Sequence, residues 1–361
     1  MTRFDWHVLR RFLAATALLL ALLVATFVVL DLAEYVDDFI DRGATWGQVF
    51  GTYYLNYVPE IVRLTSPLAL FLAAIYVTAR LAQSMQLTAL HMAGVSLGRY
   101  MRPLVLAGAA VTALMLAFNG WVVPRSTATV HAFQNEYYRD APEGAGGAEV
   151  YRQTSPGVVL TATYFDRAQA RAFGVSLVTV ADSADGLGSR LDASEMTYDD
   201  SLGVWRARDV VVREFRGGAE RFRTAAALDT ALSVLPRDLA RAERDADRLT
   251  LPEARAFVRS LERAGVTERG RPLVGYYSKV SYPFANLILV LVAVPLAARR
   301  RRGGQAAQLA LGLGVAFLYL SLQKTIEPLG YVQTVAPAVA AWAPHVVFAG
   351  VAAWLFVRAE R

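Results

Sequence analysis

The stretch QSMQLTALHMAGVS, residues 83–96, lies between two long apolar runs and contains no Asp, Glu, Lys or Arg. It is too polar to cross a bilayer and too apolar for an ordinary loop. Helical spacing over residues 82–93, stopped by Gly94, puts Met85, Ala89 and Met92 on one face and Gln86 near Gln83 on another. Two readings are open. Such a helix can rest among lipid headgroups, or it can dock in a groove on a partner protein. Methionine suits the second role, because its thioether chain adapts to the shape of a pocket. The docking reading takes Gln83, Met85, Gln86, Leu87, Ala89, Leu90, His91 and Met92 as the contact residues.

A second set of residues is cationic. Lys279 and Lys324 are the only lysines, and with Arg63 they fall at those ends of apolar runs where basic residues are uncommon. They can snorkel to phospholipid headgroups. Alternatively, with Arg42, they can hold phosphate groups of a lipid in a partly desolvated site, where charge-assisted hydrogen bonds gain strength. The acids Asp31, Glu34, Asp37, Asp38 and Asp41 read as the cap or solvated end of the first apolar run, with a divalent-cation role as the alternative.

Catalytic patterns are missing. There is no G-x-x-x-x-G-K-[ST] loop, so the chain is not expected to hydrolyse ATP by itself. There is no H-E-x-x-H, no G-x-S-x-G and no pair of carboxylates inside an apolar run. The chain has no cysteine, which removes disulfides, thiolate metal sites and Cys nucleophiles. Its four histidines, 7, 91, 131 and 345, are far apart, so no metal centre and no cofactor are expected. An enzyme reading has little support here.

The elements that must position these residues are membrane spans. The chain has 361 residues, of which 55% are hydrophobic, and about 20 apolar residues cross a bilayer core. Six runs qualify: 13–30, 57–79, 103–123, 280–298, 303–323 and 335–357. The first is too long for a cleaved signal and is followed by DLAEYVDDF, not by small residues. Basic residues set the orientation. With both termini in the cytoplasm, that side carries Arg3, Arg10, Arg11, Arg80, Arg99, Arg102, the arginines 299–302, Arg358 and Arg361, against Asp5 and Glu360. The net charge of +6 is thus mostly a topology signal. It gives no reason to expect nucleic acid as a partner, since no soluble segment combines a basic patch with stacking aromatics. The run 299–302 reads as an anchor against anionic lipid.

Between the third and fourth runs, residues 124 to about 275 form a polar insertion without lysine. The segments 157–165, 172–180, 189–199, 203–215 and 219–234 are rich in β-formers and separated by turn signals such as SADGLG, DDSLG and RGG, after a flexible lead-in, EGAGGAE (143–149). This pattern predicts an antiparallel sandwich or jelly roll. A helix follows, with Thr250 and Glu253 at capping-box spacing, Pro252 in its first turn, Ala254, Phe257, Val258, Leu261 and Ala264 on one face, and Gly265 as its stop. The predicted order is therefore spans 1–3 with the short helix at 82–94 (residues 1–123), the β domain (124–249), a linker helix (250–274) and spans 4–6 (275–361).

The order YVPEIVRLTSPLALFLAAIYVTARLAQSMQLTALHMAGVS resembles the second span and coupling helix of the LptF/LptG (YjgP/YjgQ) lipopolysaccharide-export permeases. YPFANLILVLVAVPLAARRRRGG is similar to their fourth span and basic loop, PAVAAWAPHVVFAG to their sixth span, and VLRRFLAATALLLALLVATFVVLDLAEYVDDF to their first. The resemblance implies a six-span permease subunit of an ABC-type exporter in the bacterial inner membrane, with a periplasmic β-jelly-roll. It implies four further partners: a cytoplasmic LptB-like ATPase dimer on the coupling helix, a second permease, an LptC/LptA-like periplasmic bridge, and lipopolysaccharide as cargo. Two positions depart from the family pattern. Gln86 stands in MQLT where Glu is usual, keeping length and hydrogen bonding but not the charge. His345 stands in AWAPH where Asn is usual. A permease for another lipid or lipoprotein, or an envelope scaffold, are the competing readings.

Overall fold

The computed structural model describes residues 2–137, 150–166, 169–180, 187–200, 202–216, 219–230, 232, 248–263, 269–298 and 304–360. The lead-in at 143–149, the helix stop at Ala264 and Gly265, the arginines 299–302 and Arg361 lie outside the described residues. The chain divides into two compact units, Met1–Tyr138 with Asp247–Leu251 and Leu273–Arg361, and Arg139–Ala246 with Pro252–Pro272.

The first unit is a helical bundle. Helix α1 runs Arg3–Asp41, capped by Thr2, whose hydroxyl accepts the Asp5 N–H while the Asp5 carboxylate accepts the Thr2 N–H. Helix α2 runs Trp46–Gln83 with a π-helical segment at Val49–Tyr54 near its start, and α3 is the short helix Gln86–Met92. Helix α4 runs Leu97–Tyr137 and turns π-helical at Phe118–Val122. Later in the chain come α6 (Gly270–Ser281) and α7 (Phe284–Ala297), then α8 (Gly304–Tyr331) and α9 (Pro337–Glu360). Among the described residues five helices are long and apolar enough to span a membrane, and the α6–α7 pair, bent by 54°, makes a sixth when taken as one span.

The helices outrun the apolar runs, three of them by a wide margin. Helices α1, α2 and α4 each extend about ten residues or more past a bilayer's width, so the acids 31–41 sit within α1 and not in a loop after it. Asp31 accepts the hydroxyls of Tyr53 at 3.4 Å and Tyr54 at 3.1 Å. Phe39, Tyr53 and Phe133 close an aromatic cluster there, with centroids 5.3–5.7 Å apart.

The fourth span is not straight either. The predicted boundary at 274/275 falls inside α6, and the predicted linker region holds two helices: α5 (Leu251–Arg263) and the start of α6. Pro283 offers no N–H, the Ala285 N–H reaches back only to the Tyr282 carbonyl at 3.0 Å, and the helix breaks between Ser281 and Phe284. The prolines at 59, 67, 103, 295, 328 and 344 stay inside helices.

Helix α2 packs against α1, α4, α7 and α8, and α7 against α2, α4 and α9. Small residues permit close approach: Ala69, Ala73, Ala74 and Ala82 of α2, and Ala285, Ala293 and Ala297 of α7, are all buried. Gly312 of α8 meets α2 so closely that any Cβ would collide with Ile75.

The second unit is a six-stranded antiparallel sheet, β1 (Val150–Ser155), β2 (Val158–Asp166), β3 (Arg171–Val180), β4 (Leu187–Asp199), β5 (Val204–Arg216) and β6 (Ala219–Thr230). Strand order follows chain order, a meander of hairpins with no Greek-key crossing among the described strands. Its inner face buries Leu160, Ala162, Val175, Leu191, Met196, Trp205, Ala207 and Val210. Arg206 faces Asp229 across β5 and β6 at 2.8 Å, which holds the Asp229 carboxyl below the usual carboxylate range. Helix α5 buries Ala254, Phe257, Val258 and Leu261, the face the spacing predicts.

A crease crosses this sheet. Backbone pairing is interrupted, without any register change, where Thr163 faces Gly174, Gly174 faces Ser194, Ser194 faces Asp209, and Asp209 faces residue 226. Gly174 and Asp209 both have left-handed backbones, φ +59° and +52°. A Cβ on Gly174 would lie 2.5 Å from the Thr163 hydroxyl, so glycine is required there. The Ser194 hydroxyl donates to the Asp209 carboxylate at 2.8 Å. Inward positions change parity across the line, from Leu191 and Ala193 to Met196, and from Trp205 and Ala207 to Val210.

Candidate functional site

The helix predicted over 82–93 is divided in two. Gln83 is the last residue of α2, and the Ser84 hydroxyl donates to the Arg80 carbonyl at 2.9 Å. Met85 takes a left-handed backbone, φ 60°, and turns the chain. The short helix is then only Gln86–Met92, so Gln83 and Met85 precede it instead of lining its face. Gly94, φ +82°, ends the turn as predicted. Seven residues do not hold a helix alone. Leu87, 1% exposed, and the half-buried Leu90 tie α3 to the bundle core. That corrects the expectation for Leu87, which faces inward and is not available to a partner in this structure. Met85, Gln86, Ala89, His91 and Met92 are exposed, Met92 at 86%. His91 Nδ1 lies 2.9 Å from the Val95 carbonyl, and Ser96 caps α4 by accepting the Arg99 N–H at 3.2 Å. The result is a fixed turn that presents an uncharged, methionine-bearing surface.

The predicted cations lie far from this turn. Arg63 is 20 residues before Gln83 along α2, about 30 Å at 1.5 Å per residue. It is not a bare cation. Its Nε donates to Glu60 Oε2 at 2.8 Å, and its guanidinium lies 5.3 Å from the centre of the Tyr282 ring. The Tyr282 hydroxyl donates to the Leu64 carbonyl at 3.0 Å. Lys324 donates to Glu327 Oε2 at 3.4 Å, and the Tyr331 hydroxyl donates to the other Glu327 oxygen at 2.6 Å. Each of these two cations thus has a carboxylate and a tyrosine at hand, Glu60 and Tyr282 for Arg63, and Glu327 for Lys324 with Tyr331 on the same carboxylate. Lys279 is buried on α6, its carbonyl accepting the Asn119 amide at 2.8 Å. Arg42 is exposed at the C-cap of α1.

Sequence reasoning missed Glu60, Glu327 and Tyr282. The signal was available for the two acids, since both stand three residues from a cation on one helix face. Tyr282 required knowledge of the break.

A six-span bundle, a β domain inserted between its third and fourth spans, and a presented turn between its second and third form one arrangement. The sequence profile described as "Lipopolysaccharide export system permease LptF/LptG" matches residues 6–358. The chain belongs to the LptF/LptG family. That family is the lipopolysaccharide-export permease family, so the chain is a multi-pass membrane protein and a permease subunit, not itself an ATPase. Membership implies an Lpt export complex. No curated protein matches the chain.

Proposed function

We propose that this LptF/LptG-family permease extracts lipopolysaccharide from the bacterial inner membrane and passes it toward the outer membrane, driven by a separate cytoplasmic ATPase dimer of the LptB type. The observation that carries this reading is the match over nearly the whole chain, together with an uncharged turn between spans two and three whose Leu87 is anchored in the bundle core. The ATPase docks on Gln86, Ala89, His91 and Met92, with Met85 at the edge. Gln83 and Leu90 support the turn. A second LptF/LptG-type permease pairs with this one, and the β domain hands lipid to a periplasmic LptC/LptA-like bridge along its apolar face. Both termini lie in the cytoplasm, as the distribution of arginine favours.

Lipid phosphates bind at Arg63 and Lys324 by competing with Glu60 and Glu327, while Arg42 and Lys279 contribute further contacts. The test is purification of the full complex in mild detergent, with mass spectrometry of bound lipid and protein. The reading expects an ATPase subunit and a phosphorylated lipid A glycolipid. A complex holding ATPase with another lipid class would move the cargo assignment, and a complex with no ATPase would contradict the transporter reading.

A further inference from the structure

Docking explains where the ATPase pushes, but not which spans feel the push. Helix α3 continues α2 through Ser84 and Met85, so α2 is reached directly. A second route leads to α1. Arg99, in the first turn of α4, donates from Nη2 to Asp5 Oδ2 at 3.1 Å. Asp5, 5% exposed, is in the first turn of α1, and the same oxygen accepts the Thr2 N–H at 2.8 Å. Arg99 is tied by its own N–H to Ser96, the residue after Val95, which His91 of α3 contacts. Docking turn, α4 cap and α1 start thus form one connected run of polar contacts, and Val8, Phe12 and Leu87 share one apolar core behind it.

The distribution of burial along α1 gives this link its consequence. The buried residues of this 39-residue helix are Asp5, Val8 and Phe12 at one end and Phe39 at the other. The apolar stretch between them has no buried residue. Between these ends α1 lies along α2, with Ala15, Leu19, Val28 and Leu32 partly buried, so its most deeply buried anchor near the docking turn is the Asp5–Phe12 end. We propose that Asp5 and Arg99 are positioning residues that fasten the start of α1 to the ATPase-docking turn, so that displacement of Gln86–Met92 moves the first span together with the second. This inference rests on the docking reading above, and concerns a step that docking alone does not require.

The experiment uses the full complex in lipid nanodiscs and measures three quantities: ATPase retained per permease, ATP hydrolysed, and glycolipid released per ATP. Asp5→Ala and Arg99→Ala are expected to keep the ATPase bound and hydrolysing while release per ATP falls about tenfold, the scale at which residues along a coupling network act. The exchange Asp5→Arg with Arg99→Asp is expected to recover the part of the loss that belongs to the ion pair, though not the part from the Thr2 cap that Asp5 also completes. Because the chain has no cysteine, Asp5→Cys with Arg99→Cys, joined by a short bismaleimide, gives a second version that does not depend on charge. Release per ATP should be low before joining and restored after it. Single variants that retain ATPase and release glycolipid at the wild-type ratio would overturn the inference while leaving docking intact. A wild-type complex without ATPase would remove the docking reading and the inference together.

Discussion

Within the docking turn, neighbouring residues have opposite duties. Leu87 is sealed in the core and Met92 is open to solvent, so the two should respond differently to truncation. Leu87→Ala removes the anchor of a helix too short to persist alone, at about 2–4 kcal/mol for a buried leucine. Hydrogen exchange across Gln86–Met92 should accelerate sharply and ATPase should be lost from the complex. Met92→Ala should leave exchange unchanged and weaken only ATPase retention. At the other end of the bundle, Glu60→Gln removes the carboxylate that neutralises Arg63. If phosphate competes for that guanidinium, the variant should retain phosphorylated glycolipid roughly threefold more tightly, a gain of the size of one partly exposed ion pair; unchanged or weaker retention would exclude Arg63 as a lipid contact. The sequence displayed every one of these residues. It did not display which way Leu87 faces, because a left-handed residue at Met85 resets the helix phase. Nor did it display that Arg63 and Lys324 are already paired.

At the scale of elements, the sheet crease makes the sharpest demand. Gly174 needs both a left-handed backbone and the absence of a side chain. Gly174→Val should destabilise the β domain by about 2 kcal/mol or more, from backbone strain plus the clash with Thr163. Hydrogen exchange in β2 and β3 of the full chain is the measurement, and β5–β6 should be less affected. Five of the six strands and the α5 face were legible from β-former runs, turn signals and helical spacing. Strand β1 was not, since VYRQTS has little alternation. The crease was invisible because its members come from several strands and meet only after pairing. Helix extension past the apolar runs was also hidden. Charged residues end a hydropathy signal, but they do not end a helix that has polar partners, as Asp31 has in Tyr53 and Tyr54.

At the scale of the whole molecule, six spans could be counted from composition alone, because a bilayer requires a minimum apolar length and nothing else in this chain meets it. The break in the fourth span could not be counted. Of the prolines at 59, 67, 103, 283, 295, 328 and 344, Pro283 alone interrupts its helix. At the other positions the helix runs on, even at the exposed Pro328, so a proline in the sequence does not by itself mark a break. The account as a whole depends on Gln86–Met92 being the surface on which a cytoplasmic ATPase acts. The most direct measurement is a photo-crosslinking amino acid at Met92, with one at the exposed Phe317 of α8 as the comparison, in cells producing the full complex. The expected result is a covalent adduct between position 92 and the ATPase subunit, with position 317 reaching lipid or a second permease. Adducts from position 92 to lipid alone, or labelling of that position by a reagent confined to the periplasm, would contradict it.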